Sequence, residues 1–563
     1  MEWPPARNRF ANHFAGVAGY RRSPHCQVNF CGDRLMIPAR PRRVLVVDND
    51  PDFRDSVALL LQARGYTVFA TGNRFEAMAL ATRERVHVAV LDVRMENDPD
   101  RDDTSGLTLA RQLDPLIVKI VVTAYPSVPV VRGSYNVAFR FVGKDELPGG
   151  LLEALAQAYT SEVKINFDLS IHWDGIQVEE VAHHIELGDK PAPDVMQAEI
   201  EELLCKLFHD ADEIVITPLI PANRVHSSSS SPSGAVVLKV QPRERGGRAA
   251  PVVVKLAGRK MIEVEDRNYN QYVEGYLDGY RHTLLKERAR THLLGGIIYS
   301  LVGTPLEECV DFGTFYLQQT AHEILRALED LFTKTCRHWY ENRETKQDYD
   351  LIELYAQPLK LTITRLENAL HGAGLDAWAG DSHPLVPELK RPIANPIEWF
   401  RRHPRLITQV ALAPTHGDLH SQNILLDPGH KAWLIDFYRS GPGHLFRDFI
   451  ELEADIKFVL LDVADLSSLQ VFEHALLSTR HFDDMPTLPT FRSDELRKAF
   501  EVIQGLRQMA GRLAGGRRAE MRDYYQGLLL QSLAMICLRH VAVPKKRHAY
   551  LAASMLCQRL DNW

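Results

Sequence analysis

The chain has 563 residues, 45% hydrophobic and 25% charged. That is an ordinary composition for a folded protein, but too long for one hydrophobic core, so about two to four domains are expected. A formal charge of −7 gives no electrostatic footprint for nucleic acid, and no apolar run reaches the length of a membrane span. The seven cysteines are scattered, without a Cys-x-x-Cys pair, which predicts reduced thiols in a cytoplasm rather than a disulfide framework or a zinc site.

Residues 1–41 are rich in Arg, Pro and Asn and lack the apolar core of a signal peptide. They read as a disordered leader, and residues 1–35 as either that or an extension upstream of Met36. From Val44 to Tyr159 short apolar runs alternate with amphipathic segments. VLVV (44–47) reads as a buried strand, and Asp50–Pro51 as an N-cap followed by a first-turn proline. The helix FRDSVALLLQAR then stops at Gly65. YTVFAT, a helix around RFEAMALATRER, VHVAVLD, a helix around LTLARQL, IVKIVVT, a weak helix, FRFVG and LLEALAQAY complete the pattern. Five strands alternating with helices predict a doubly wound parallel sheet, whose chemistry gathers at the carboxyl ends of the strands. Asp48, Asp92 and Thr123 fall at such ends, and Lys144 follows the fifth strand. Two carboxylates can hold magnesium beside a phosphoryl group, while a hydroxyl and an ammonium grip its oxygens.

On LVVDND, VLDVRM, VVTAY and FVGKD, residues 42–160 closely resemble the receiver domain of two-component response regulators. The resemblance implies a flavodoxin-like fold and a phosphoryl group accepted on Asp92 from a sensor histidine kinase. It also implies Thr123, Lys144 and the switch aromatic Phe141 as its sensors, and magnesium held by Asp48, Asn49 and Asp92. Asn49 stands where the family usually keeps a second acid, so weaker magnesium binding is expected; the acidic loop after Asp92 is a candidate source of compensating charge. Pro126 and Pro129 shorten the fourth helix.

After Tyr159 the pattern changes. SEVKINFDLSIHWDGIQVEE reads as strand-like, and residues 161–194 as a linker or entry segment to the next domain; APDVMQAEIEELLCKLFHDA reads as an amphipathic helix. Strands are expected at EIVITPLI (213–220), GAVVLKVQ (234–241) and PVVVKLA (251–257), then a helix over 262–276. Beyond THLLGGIIYSLVG (291–303) the chain turns mostly helical. Strands first and helices later predict a small mixed lobe, 195–303, leading into a helical lobe, 304–563.

In THGDLHSQNILLD (415–427), His416, Asp418 and His420 alternate like metal ligands on a strand. The next run decides otherwise. ILLD (424–427) and KAWLIDF (431–437) flank a Pro-Gly-His turn and read as a hairpin, which brings Asn423 beside Leu434–Asp436. An amide oxygen and a carboxylate meeting there suit a hard cation carrying nucleotide phosphates, with Asp418 free to deprotonate a hydroxyl. A metal hydrolase would need further imidazole ligands, and the only other close pair, His183–His184, reads as a loop or helix feature.

HGDLHSQNILLD followed by LIDF resembles the catalytic and metal-binding loops of the aminoglycoside phosphotransferase and choline kinase-like group of the protein-kinase fold. The resemblance implies a bilobal α+β domain using Mg2+ and ATP, with Asp418 as base, Asn423 and Asp436 as magnesium ligands, and His416 and His420 as bracing. Asp448 in GHLFRDFIELE matches the buried aspartate that steadies the loop, with no room before it for a long activation segment. Lys255, ending PVVVK, matches the phosphate-contacting lysine, with Glu265 chosen over Glu263 and Glu274 as its partner. The phosphate-covering loop should fall in HSSSSSPSG, whose one glycine is Gly234. The domain also looks like the kinase-like "ternary complex associated" modules of bacterial multi-component loci. Arg512, Arg517, Arg518 and Arg522 form a modest basic cluster, read as a solvated helix face.

The expected function is a cytoplasmic response regulator controlling a kinase-like domain that transfers phosphate from Mg-ATP to a hydroxyl of an unknown acceptor, protein or small molecule. No nucleic-acid or membrane partner is expected. The rival reading is a nucleotide-binding pseudokinase scaffold positioned by the receiver.

Overall fold

The computed structural model describes residues 40–96, 103–124, 137–219, 234–244, 247–277, 283–301, 306–380, 382–486, 489–491, 493–515, 518–539 and 541–563. The leader, most of the acidic loop after Asp92, Pro126 and Pro129 with the weak helix, the serine run before Gly234, and Arg517 lie outside the described residues.

The first unit is built from β1 (Arg42–Val47), α1 (Pro51–Gln62), β2 (Tyr66–Thr71), α2 (Arg74–Arg83), β3 (Val88–Asp92), α3 (Ser105–Gln112), β4 (Val118–Thr123), β5 (Arg140–Gly143) and α4 (Gly149–Gln157). Its five strands pair in the order β2-β1-β3-β4-β5, all parallel. Both faces are buried, as runs such as VLVV and VAVLD require: Val44 and Val46 join one core and Leu45 and Val47 the other. Asp50 caps α1 by accepting from Asp52 N and Phe53 N, and Pro51 fills the first turn.

The next stretch departs from the strand-like reading. Helix continues through Val163. Only β6 (Ser170–Trp173) is strand, and QVEE opens α5 (Val178–His184), which contains His183–His184. β6 pairs in parallel with β7, so of the linker and entry readings of residues 161–194 the second holds: part of them is the edge of the next sheet. After α6 (Pro193–Leu207) come β7 (Glu213–Pro218), β8 (Val236–Glu244), β9 (Gly247–Arg248), β10 (Val252–Gly258), α7 (Arg259–Asn268), β11 (Thr283–Arg290) and β12 (Leu294–Leu301). The strand order is β11-β12-β10-β8-β7-β6, with β9 on β8. α7 begins three residues before the expected helix and passes into a wide turn at Tyr269–Val273. β11 was not anticipated: TLLKERAR is an edge strand with only Thr283 buried, so polar residues mask its pattern.

The second lobe is mostly helical, and its core is continuous with part of the sheet lobe. It holds small sheets as well. β13 (Val310–Asp311), β14 (Glu344–Asp350), β15 (Leu385–Val386), β16 (Arg391–Pro392), β17 (Ile407–Thr415), β18 (Ile424–Leu426), β19 (Ala432–Leu434) and β20 (Gly441–His444) are followed by α8 (Arg447–Asp455), α9 (Leu466–Leu476), α10 (Asp494–Leu513), α11 (Arg522–Ile536) and α12 (Val543–Asp561). The β18–β19 hairpin has the expected register, Ile424 opposite Leu434, but its second strand ends before Asp436. Asp436 has a positive φ of 69°, which breaks the extended run. No helix among the described residues is long and apolar enough to cross a membrane. Five cysteines, 205, 309, 336, 537 and 557, are free thiols.

Candidate functional site

In the first unit the strand ends bring Asp48, Asp92 and Lys144 together. Lys144 Nζ lies 2.8 Å from Asp48 Oδ2 and 3.2 Å from Asp92 Oδ1, and sits 3.9 Å above the Phe53 ring. Asp92 Oδ2 accepts from Arg94 N, 2.9 Å, and Asp48 Oδ1 from Asp50 N, 2.9 Å. Burial pushes Asp92 up to about 6; Lys144 pulls it down and the Asp48 carboxylate pushes it further up. Burial also raises Asp48. For Lys144, burial opposes the charge, but Asp92 and Asp48 outweigh it and raise the ammonium. Two carboxylates against one ammonium leave a buried net negative charge, and the donors are oxygens, which fits a hard cation such as magnesium.

Thr123 is buried at the end of β4, opposite Gly143. Phe141 is half-buried against Val93, Leu107 and Val121. Asn49 is half-buried in the turn after β1. Asp50, the next acid along, gives its Oδ1 to the α1 cap, accepting from Asp52 N and Phe53 N.

In the second unit a buried ammonium lies between two acids from distant parts of the chain. Lys255 Nζ is 2.6 Å from Glu265 Oε2 and 2.5 Å from Asp436 Oδ1. Glu265 Oε1 also accepts from Tyr299 OH, 2.7 Å, and Phe437 N, 3.2 Å. β10 supplies the lysine, α7 the glutamate, and the turn after β19 the aspartate. Burial opposes the Lys255 charge, but the two carboxylates outweigh it and hold it protonated. Burial raises Glu265, with Lys255 pulling it down. Asp436 is lowered, because Lys255 overcomes its burial penalty. The competitors are elsewhere: Glu263 pairs with Arg259 and Arg290, and Glu274 is exposed.

The loop 416–423 meets the same turn. Ile435 N donates to Asn423 O, 3.1 Å, placing Asn423 one residue from Asp436. The Asn423 amide NH2 donates to Asp418 O, 2.9 Å, and lies 3.2 Å from His420 Nε2, which leaves its oxygen as the end for a hard cation. Asp418 is about one-quarter exposed, with Arg439 Nη1 at 3.5 Å from Oδ1. His416 is fully buried, its Nε2 3.0 Å from Ile435 O, and burial lowers its pKa despite the nearby acids. Gly417 has φ +76°, and a Cβ there would meet Arg439 O at 2.4 Å. Only glycine lets the two loops approach this closely.

Three carboxylates on one face of α8 hold this loop. Asp448 accepts from His416 N and Gly417 N, both 3.0 Å, and from Tyr340 OH, 2.9 Å. Glu451 accepts from Leu419 N and Asp455 from Ser421 N, each at 2.8 Å. Arg447 links Glu451 to Gly417 O, 3.1 Å. Of these, sequence reasoning found only Asp448. The signal for Glu451 and Asp455 was present as the i, i+3, i+7 spacing of acids in RDFIELEAD.

Gly234 lies just before β8, buried, with φ +76°. Its carbonyl accepts from Glu186 N, 3.1 Å, and a Cβ there would meet Glu186 Cβ at 2.6 Å. Its need to be glycine is therefore met by packing against Glu186. A cavity of about 590 Å3 in the helical lobe is lined by Phe482, Asp483, Gln508, Arg512 and Arg518, far in the chain from both charged clusters. Arg512 there pairs with Glu329, 2.5 Å.

Comparison with known proteins follows the same division. Residues 230–384 and 381–535 match the pattern of Ternary complex associated domain 9, together more than half of the chain. The chain belongs to that family. Residues 44–156 match the Response regulator receiver domain, so this family member carries a receiver at its amino-terminal side and has a place in two-component signalling. That part is similar to Transcriptional regulatory protein GlrR of Escherichia coli, 28% identical over 127 residues, covering 21% of this chain and 27% of GlrR. It is also similar to the probable transcriptional regulatory protein TcrX of Mycobacterium tuberculosis, 33% identical over 89 residues, covering 16% and 37%. The chain thus spans 27% and 37% of the length of these two curated relatives. Among solved structures, it is similar to a response regulator from Burkholderia pseudomallei bearing a phosphorylated aspartic acid. The identity is 29% and the TM-score 0.19, with 21% of this chain and 69% of that one covered.

Proposed function

We propose that this chain is a response regulator whose receiver takes a phosphoryl group on Asp92 from a sensor histidine kinase. The receiver controls a kinase-like domain that transfers phosphate from Mg-ATP to a hydroxyl of an acceptor, protein or small molecule. The observation that carries the second half is the buried contact of Lys255 with both Glu265 and Asp436, beside a loop that presents Asp418 and Asn423.

Lys255 is the cation available to the nucleotide phosphates, and Glu265 fixes its reach from the opposite side. The oxygen of Asn423 and the carboxylate of Asp436 would hold magnesium, which when bound offsets the charge of the phosphates. Asp418 is the open carboxylate of the cluster, suited to orient an attacking hydroxyl and take its proton. Arg439, 3.5 Å from it, places a positive charge where the transferred group carries negative charge. The backbone of the loop is kept from drifting by Asp448, Glu451 and Asp455, so these roles need no reorganisation at the moment of reaction.

The test measures ATP binding and turnover by the purified chain with and without beryllofluoride. Turnover that Asp418→Ala abolishes, with nucleotide binding retained, is expected. Binding without turnover in the unaltered chain selects the nucleotide-binding scaffold instead, and no binding in several preparations sinks both. A beryllofluoride response that persists in Asp92→Ala would show that control does not run through the receiver.

A further inference from the structure

The receiver contacts the second unit through the amino-terminal ends of its strands, the end opposite Asp92. Arg43, at the start of β1, and His87, just before β3, meet Glu202 of α6; His87 Nε2 is 3.4 Å from it. Arg85 lies 3.7 Å from Glu199, whose other oxygen accepts from Leu293 N, 3.0 Å, in the β11–β12 turn. Tyr159, Phe167 and His87 pack their rings together, with centroids 5.9–6.0 Å apart. These contacts seat the domain.

One contact does something different. Asp114, in the loop between α3 and β4, binds Arg259, with Nη1 2.6 Å from Oδ2 and Nη2 3.4 Å from Oδ1. Arg259 is the first residue of α7, the helix that carries Glu265. That helix has no side-chain cap and no acid in its first turn. A cation at a helix amino terminus opposes the helix dipole, so a fixed anion there relieves both charges. Only Glu263, one turn on, shares Arg259 from within the helix, 3.1 Å. At the far end of α7, Asn268 Nδ2 donates to Tyr438 O, 2.7 Å, in the turn that carries Asp436. The helix is therefore tied at one end to the receiver and at the other to the Asp436 turn, with Glu265 between them. β4 leads from the Asp114 loop to Thr123, at the end of the strand that pairs beside Asp92.

We propose that Asp114 is a positioning residue for the second unit. Its ion pair with Arg259 fixes the first turn of α7 and so the reach of Glu265 to Lys255, and the receiver thereby sets the affinity of the nucleotide cleft. The consequence for nucleotide rests on the proposed function; the bracing of α7 does not.

The experiment is hydrogen–deuterium exchange on the full chain without nucleotide, comparing Asp114→Asn, Arg259→Gln and the double variant. Asp114→Glu serves as the conservative rescue and the exposed Asp55→Asn as control. Exchange over residues 259–268 is expected to rise about 3- to 10-fold in each single variant. The double variant should add little beyond Arg259→Gln alone, because the Asp114–Arg259 pair that Asp114→Asn breaks is already lost there, and Asp114→Glu should restore most of the protection. The Kd for Mg-ATP, read by calorimetry on the same proteins, should rise by a similar factor. Unchanged exchange over 259–268, or fully additive single effects, overturns the proposal. So does a rise spread equally through receiver strands 44–47 and 88–92, which would make Asp114 a residue of receiver stability alone. Absence of ATP binding in the unaltered chain would count against the proposed function, and the exchange result would still decide whether Asp114 braces α7.

Discussion

At the residue scale, both charged clusters pair one ammonium with two buried carboxylates. Asp92 has its folded value raised from 3.8 to about 6, with burial the main cause and Asp48 adding to it. A carboxyl raised on folding favours its protonated state in the native protein, so the cost of ionising it is absent below about pH 4 and fully incurred above about pH 6. Asp92→Asn should therefore stabilise the metal-free receiver at pH 7 by about 1–3 kcal/mol. Thermal melts should show that gain vanishing as the pH is lowered through 6 towards 4; an equal gain at pH 4 would assign it to something other than charge. Lys255→Met should act in the opposite direction. It leaves Glu265 and Asp436 buried without their cation, a loss of about 3–5 kcal/mol in denaturant unfolding, together with loss of nucleotide binding. If stability is unchanged, the two carboxyls are taking up protons instead of charge.

At the scale of elements, α8 is the piece that turns a flexible sequence into a fixed loop. A loop of alternating polar residues has many backbone N–H groups and no strand partner for them, and buried N–H groups must be satisfied. Asp448, Glu451 and Asp455 do this at successive points, from one face of one helix. Asp448→Ala orphans two backbone donors and the Tyr340 hydroxyl, so a loss of about 2–4 kcal/mol is expected. It should be accompanied by faster hydrogen exchange at His416 and Gly417, and melting with slow exchange retained there would refute the anchoring role. The β18–β19 hairpin was readable because apolar runs around a Pro-Gly turn fix register locally. β11 was not, because its charged residues face solvent at a sheet edge, and β17 and β20 pair across long separations in sequence.

At the scale of the whole molecule, the receiver docks by the amino-terminal ends of its strands, the end opposite Asp92. Glu202 is central to that seat. It is held well below the usual carboxylate range: burial opposes the charge, but His87, Lys206 and Arg43 outweigh it. Glu202→Ala strands Arg43 in the interface and should weaken docking by about 3–5 kcal/mol. Calorimetry is then expected to resolve separate receiver and second-unit transitions, where the unaltered chain shows stronger coupling. A single unaltered endotherm would show that the aromatic contacts of Tyr159 and Phe167 suffice.

The sequence alone determined the receiver sheet and its order of elements, because buried parallel strands and capped helices are written in local periodicity. It also set the register of the β18–β19 hairpin, because a short hairpin carries its own register. Tertiary structure alone decided that residues 161–194 contribute a sheet edge, that Gly234 packs on Glu186, and that Glu451 and Asp455 hold the 416–423 loop. It alone joined Asp114 to Arg259. Each of these depends on groups brought together across tens to hundreds of residues, where polar partners are chosen by the geometry of packed elements and leave no repeating pattern along the chain.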